Sequence, residues 1–236
     1  MIELSKRMKM NADLVPEGCF LADIGCDHGY VSIYLARKKR CARILAMDVN
    51  PGPLAIARAH IQQENLQESI SCRLSDGLSA LAPGEVDTVL LAGMGGILIC
   101  RILEAKPEVL TGIDTLILQA QSDWGMVRQT IWKLGFMIDE EQVCQDAGKY
   151  YLVIRAIRGK EQKSYTEEEV TYGRLLPQRK DKRYEQWLQK EKKKREAVLH
   201  ELQKHETKNS LKRISELQKE VACIQWIVTN YYGGNV

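Results

Sequence analysis

Four short stretches of this 236-residue chain hold the residue types that chemistry needs. Leu21-Ala22-Asp23-Ile24-Gly25-Cys26-Asp27-His28-Gly29-Tyr30 runs from an apolar segment into a loop with an acid and two glycines, then into an amphipathic helical pattern. Asp48 closes a second apolar run, Asp76-Gly77 follows a third, and Gly93-Met94-Gly95-Gly96 follows a fourth. Glycine in such loops permits a positive φ and lets a ligand approach the backbone. A helix starting beside the loop offers unbonded N–H groups and the positive end of its dipole.

Two cofactor classes use a strand, a glycine loop and a helix start in this way. Dinucleotides favour G-x-G-x-x-G, whereas S-adenosylmethionine (SAM) sites often carry an acid two residues before the first glycine. Here the order is acid-x-Gly-x-x-x-Gly, with Asp27 where the usual SAM loop has its middle glycine. The loop alone leaves both classes open, and the series of acids is more informative. A carboxylate at Asp48 can accept both ribose hydroxyls of a nucleoside, and one at Asp76 can accept an adenine amino group. The same aspartates also suit turns and helix caps. His28 can orient cofactor or substrate, or simply bond to backbone. Asp27 can cap the helix at Tyr30, or repel a dinucleotide phosphate. Gly93-Met94-Gly95-Gly96 leaves room for a flat base against the backbone, whose carbonyls can take an amino hydrogen; otherwise it is a helix-start turn with Met94 in the core. Arg7, in an N-terminal helical segment, can reach a cofactor carboxylate or an RNA phosphate.

The elements that would position these residues alternate. A helix within residues 1–14, with Leu4, Met8 and Leu14 on one side, precedes strand Phe20 to Gly25 and a helix from Tyr30 that ends in the basic run Arg37 to Arg40. Strand Arg43 to Asp48 leads to a helix from Pro51, where proline costs least. Strands Ile70 to Leu74, Val86 to Ala92 and Thr115 to Gln119 follow, then helix Met126 to Leu134. Phe136 to Cys144 and Tyr150 to Ile157 are separated by too few residues for a crossover helix, so they are expected to pair antiparallel. The fold class expected is α/β, a Rossmann-like doubly wound seven-stranded methyltransferase sheet, whereas a dinucleotide domain would continue with a parallel sixth strand. Beyond Lys160 the chain turns to charge and helix formers. Leu211, Ile214, Leu217, Val221, Ile224, Val228 and Tyr231 recur at three and four residues, with a looser stripe at Tyr184, Trp187, Leu188, Val198, Leu199 and Leu202. The polar break Lys204 to Asn209 separates two arms of a coiled-coil-like helical hairpin. The expected domains are 1–159, binding the cofactor, and 160–236, helical.

Composition narrows the classes. The net charge of +3 conceals an uneven distribution, because residues 160–236 hold 17 Lys/Arg against 12 Asp/Glu. Basic runs at Arg179 to Arg183 and Lys190 to Arg195 suit a polyanion such as RNA, although solvated coiled-coil flanks are charged too, and no aromatic RNA-binding signature accompanies them. The seven cysteines are scattered, with no C-x-x-C and no histidine at ligand spacing, so neither a disulfide framework nor a metal site is expected. No apolar run approaches a membrane span, and no signal core opens the chain. A cytoplasmic protein with no membrane partner, and a monomer, is the expectation.

With these motifs placed, the chain resembles the bacterial tRNA adenine-22 N1-methyltransferase family (TrmK). The resemblance rests on Leu4-Ser5-Lys6-Arg7, Ala22-Asp23-Ile24-Gly25-Cys26-Asp27-His28-Gly29-Tyr30, Met47-Asp48-Val49-Asn50, Asp76-Gly77-Leu78, Ala92-Gly93-Met94-Gly95-Gly96 and Gly148-Lys149-Tyr150-Tyr151. It implies a SAM-dependent enzyme that methylates N1 of an adenine in the tRNA D-arm region, with the helical tail aiding tRNA binding. It implies cofactor contacts at Arg7, Asp23, Gly25, His28, Gly29, Asp48, Val49, Asn50, Asp76, Gly77 and Gly93, and catalytic roles among Asp27, His28, Gly93, Met94 and Gly95. The Asn/Asp-Pro-Pro-aromatic tetrad of adenine N6-methyltransferases is absent after the fourth strand. Adenine N1 already carries a lone pair, so alignment and desolvation matter more than a general base. A nearby acid, Asp27 first, can stabilise the cationic product ring. A non-catalytic RNA-binding module on the same fold, a SAM enzyme with another substrate and an NAD oxidoreductase are the alternatives.

Overall fold

The computed structural model describes residues 3–205 and 210–233. Its elements form two compact units, Met1–Thr166 and Glu167–Val236. The first contains α1 (Lys6–Asp13), β1 (Cys19–Ile24), α2 (Tyr30–Arg37), β2 (Cys41–Asp48), α3 (Pro51–Gln63), β3 (Ile70–Leu74), β4 (Thr88–Met94), α4 (Gly96–Glu104), α5 (Pro107–Leu110), β5 (Thr115–Ala120), α6 (Trp124–Lys133), β6 (Phe136–Asp146) and β7 (Lys149–Arg158).

The seven strands lie in the order β3-β2-β1-β4-β5-β7-β6. β1 pairs in parallel with both β2 and β4, so the chain winds outward in opposite directions from this pair and leaves a crevice above their C-terminal ends. β7 is antiparallel to both β5 and β6, as the short connection requires. The hairpin is longer than its apolar pattern, because Ala147 and Gly148 take the turn with φ of +46° and +75°. All six residues of β5 are buried, and Leu21, Ile44, Leu90 and Ile117 lie in the core beneath the crevice. Such strands read as apolar runs because both faces are covered by helices. α1 is shorter than the expected segment: Ser5 caps it by accepting the Met8 N–H at 3.4 Å, and Met10 and Ala12 rather than Met8 are its fully buried apolar residues.

The break between the units falls after Thr166, not after residue 159 where the composition changes. The backbone N–H of Ile138 donates to the Glu161 carboxylate at 2.9 Å, and the Tyr165 ring lies on Trp132 at 3.9 Å. Those contacts tie a polar segment to the sheet domain despite its helical-tail composition.

The second unit contains α7 (Glu167–Tyr172), α8 (Leu175–Gln178), α9 (Lys182–Lys204) and α10 (Ser210–Tyr232). α9 and α10 run antiparallel, joined by Arg195 to Glu220 at 2.6 Å and Lys192 to Gln225 at 2.6 Å. Ile214, Leu217, Ile224 and Val228 are buried as their spacing predicts, together with Tyr184 and Leu188, while Leu211 and Val198 stay exposed. Of the expected polar break, residues 206–209 lie outside the described residues.

Candidate active site

The loops after β1, β2, β3 and β4 gather the sequence candidates above the crevice. After β1 the backbone turns at Gly25, with φ +73°, and Gly25 and Cys26 donate to the Met47 carbonyl at 2.8 and 2.9 Å. This stitches the glycine loop over the end of β2. Gly29, at φ +74°, is the N-cap of α2 and supplies no side-chain cap. Asp27 therefore does not cap this helix. Its carboxylate is exposed, its φ is +52°, and its Oδ1 lies 3.5 Å from His28 Nδ1.

Asp23 is 5% exposed and accepts a 2.6 Å hydrogen bond from Ser32 Oγ, in the first turn of α2. Burial pushes its carboxyl up to about 6, against the opposing effect of the Ser32 bond, and the neighbouring Asp48 charge adds to the rise. Its negative charge is short of solvation and of a counter-charge. Asp48 is also buried, and its oxygens accept the Asp27 N–H at 3.1 Å and the Asn50 N–H at 2.8 Å. Each carboxylate oxygen has two lone pairs, so acceptor capacity remains for a pair of hydroxyls. Asn50 precedes α3 without a side-chain cap bond, and Val49 is 56% exposed beside it.

After β3, Ser75 makes the turn's side-chain bonds: its Oγ donates to the Gly77 carbonyl at 2.9 Å and accepts the Ala80 N–H at 3.1 Å. The Asp76 side chain is exposed, so the turn does not depend on it. Gly77 has φ +55°, and a Cβ there would lie 2.9 Å from Ile102.

The glycines after β4 have different reasons for being there. Gly93 needs its positive φ of +79°, and a Cβ on it would lie 3.1 Å from Arg7 Nη1. A Cβ on Gly96 would stand 2.5 Å from the Ser122 carbonyl oxygen, so α4 abuts the β5–α6 loop only if residue 96 has no side chain. Gly95 has an ordinary φ of −65°, and a Cβ on it would meet nothing nearer than Ser122 Oγ at 3.7 Å. Space, not strain, is what Gly95 leaves open. The Met94 methyl sits where a Cβ on Gly25 would go, so this half-buried side chain bridges the β1 and β4 loops.

Arg7 is placed beside Gly93 by contacts from three elements. Its backbone N–H donates to Asp146 at 3.1 Å, its Nη1 donates to Gln119 Oε1 at 3.3 Å, and its guanidinium lies 5.2 Å from the Tyr151 ring centre. The Arg7 N–H, with Ser5 and the Arg7 charge, holds the Asp146 carboxyl below its ordinary value. His60 Nδ1 lies 3.0 Å from the His28 carbonyl oxygen, and His60 stacks on Tyr30 at 5.3 Å.

Ser32, His60, Gln119, Gln121 and Asp146, which sequence reasoning does not single out, bond to the candidate residues or their loops. Gln119 and Gln121 had a legible signal, polar side chains at the end of the apolar run of β5. Ser32 and His60 had none, since only packing brings them to Asp23 and His28. Among the described residues no group of three or more His, Cys, Asp or Glu is arranged to hold a metal, and none of the seven cysteines is in a disulfide.

A doubly wound sheet closed by an antiparallel strand, with acids at successive strand ends and a glycine loop at the switch point, defines the class of Rossmann-like methyltransferases. A family model described as tRNA (adenine(22)-N(1))-methyltransferase matches residues 21–225. The chain is 34% identical over 175 residues to the Bacillus subtilis (strain 168) tRNA (adenine(22)-N(1))-methyltransferase, covering 74% of each chain. The crystal structure of the B. subtilis m1A22 tRNA methyltransferase TrmK is similar over 97% of this chain and 100% of that one, at 27% identity and a TM-score of 0.90. M. capricolum TrmK in complex with S-adenosylhomocysteine is similar over 95% and 97%, at 25% identity and a TM-score of 0.82. The chain belongs to the tRNA (adenine(22)-N(1))-methyltransferase family.

Proposed function

We propose that the protein transfers the methyl group of SAM to N1 of adenine 22 in tRNA, with the cofactor held over the ends of β1, β2 and β3 and the target base received by Gly93 to Gly96. One feature carries this reading. A buried carboxylate lacking a counter-charge, Asp23, and an open glycine loop stand on neighbouring strands at the switch point. The first suits the ammonium group of the cofactor and the second suits a flat base.

The residues present fit SAM. Asp48 retains lone pairs for the ribose hydroxyls, the exposed Asp76 is available to the adenine amino group, and Val49 and Asn50 border that end. Gly25, Gly29 and Gly77 supply the positive φ of the loops and admit the close packing of Met94, Ala57 and Ile102 beneath the site, and Arg7 and His28 are assigned to the methionine end. Bound SAM supplies an electrophilic methyl group on a sulfonium centre, which the N1 lone pair can take without a general base. The protein's contribution is alignment, exclusion of water and accommodation of the charge that develops on the adenine ring. Asp27, exposed and beside His28, is the acid to which this reading gives the balancing of that charge. The basic helical unit, α9 and α10, serves tRNA binding. A cytoplasmic monomer fits an enzyme acting on tRNA, and no helix among the described residues is long and apolar enough to cross a membrane.

Incubation with unmodified tRNA and labelled SAM, followed by mapping of the modified nucleotide, tests the reading. N1-methyladenine at position 22 is the expected product; incorporation at another position, or none, overturns it.

A further inference from the structure

Gln121 is fastened to the β4 loop in two ways. Its backbone N–H donates to the Met94 carbonyl at 2.8 Å, and its side-chain Nε2 donates to the Gly93 carbonyl at 2.9 Å. A carbonyl can only accept, so the second bond fixes which end of the amide faces Gly93. The amide NH2 is committed to the loop, and Oε1 is left as an acceptor on an exposed side chain at the edge of Gly93 to Gly96.

We propose that Gln121 is the residue that selects adenine, accepting a hydrogen from the 6-amino group of the target base through Oε1. The inference rests on the acceptor base lying against the glycine loop, as proposed above. When N1 is the atom attacked, the group beside it on the Watson–Crick edge is the 6-amino donor in adenine and a carbonyl acceptor in guanine. An amide oxygen pairs with the first and repels the second. The pairing also strengthens during the reaction. The N1–CH3 bond forms as the CH3–S bond breaks, the electron pair of that bond stays on sulfur, and the positive charge passes to the adenine ring and its amino group. No proton has to leave. An acceptor held at the amino group therefore binds the transition state more tightly than the ground state, which raises the rate of transfer.

The test uses the full chain, tRNA with adenine at position 22, and the same tRNA with unsubstituted purine there. Single-turnover methylation with saturating SAM is compared for the wild type and for Gln121→Leu. Purine N1 is intrinsically less nucleophilic, so the discrimination left in the variant measures that chemical difference. Wild-type discrimination is expected to exceed it by about 10- to 100-fold, the value of a hydrogen bond to a group gaining charge. Competition binding without SAM reads the same contact independently of turnover, with the wild type preferring adenine-22 tRNA by a factor that Gln121→Leu removes. Gln121→Met, closer in shape, repeats the comparison if leucine lowers the melting temperature. Equal discrimination by wild type and folded variant overturns the proposal. Absence of methylation of either tRNA by the wild type would overturn the function reading instead.

Discussion

Replacing Asp23 with asparagine is expected to make the cofactor-free protein more stable at pH 8 while abolishing tight SAM binding. Burial raises the Asp23 carboxyl from its ordinary 3.8 to about 6. A carboxyl whose folded value lies above its unfolded value binds its proton more tightly in the folded chain. Its contribution is therefore most favourable below about pH 4 and is lost as pH rises through about 6. A shift of about two units corresponds to about 3 kcal/mol of stability forfeited at pH 8. Asparagine keeps an oxygen for the Ser32 hydroxyl, which now donates at 2.6 Å. Its amide NH2 needs an acceptor in the same buried place, which offsets about 1–3 kcal/mol and leaves a gain of up to about 2 kcal/mol. For a domain of this size that is a rise of up to about 5 °C in melting temperature. Thermal melts of both cofactor-free proteins from pH 4 to pH 8 should diverge as pH increases, with the curves nearest at the acid end. In the wild type, a bound ammonium group favours the carboxylate. SAM binding near pH 6 should thus release protons, and its calorimetric enthalpy should vary with the ionisation heat of the buffer. A stability difference between the two proteins that is independent of pH would refute the reasoning.

Asp48→Ala removes the proposed ribose acceptor and leaves the Asp27 and Asn50 N–H groups without their bonds, so SAM affinity measured by calorimetry should fall about 100-fold or more. Unchanged affinity would remove Asp48 from the site. Gly95→Val adds a side chain where the nearest atom is 3.7 Å from the new Cβ, so melting temperature and SAM affinity should hold while single-turnover methylation falls by about 100-fold or more. Gly96→Ala, whose Cβ would lie 2.5 Å from a backbone oxygen, should instead lose about 1–3 kcal/mol of stability in denaturant titration, and an unaltered midpoint would contradict the close approach. A chain ending at Thr166 should fold and bind SAM but methylate tRNA poorly at physiological salt, whereas full activity there would dissociate the helical unit from tRNA binding.

The sequence by itself determined the alternation of strands and helices, the antiparallel hairpin and the positions of Asp23, Asp48 and Asp76 at strand ends. Those features are local: apolar runs with two covered faces, turn residues and loop lengths too short for a crossover are written in consecutive residues. The matching motifs also located the loop Gly93 to Gly96, but not why each glycine is there. Gly93 answers to φ, Gly96 to the Ser122 carbonyl and Gly95 to neither, a distinction that needs the atoms of the β5–α6 loop. The break between the compact units differs from the change in composition for a related reason, since Glu161 and Tyr165 look like tail residues until Ile138 and Trp132 are set beside them. Tertiary structure alone decided that Ser32 holds Asp23, that Gln119 and Tyr151 place Arg7, and that Gln121 grips the β4 loop. Periodicity reports which face of an element is buried. It does not report which residue, a hundred positions away, completes a hydrogen bond, because that depends on the strand order and on how the loops above it pack.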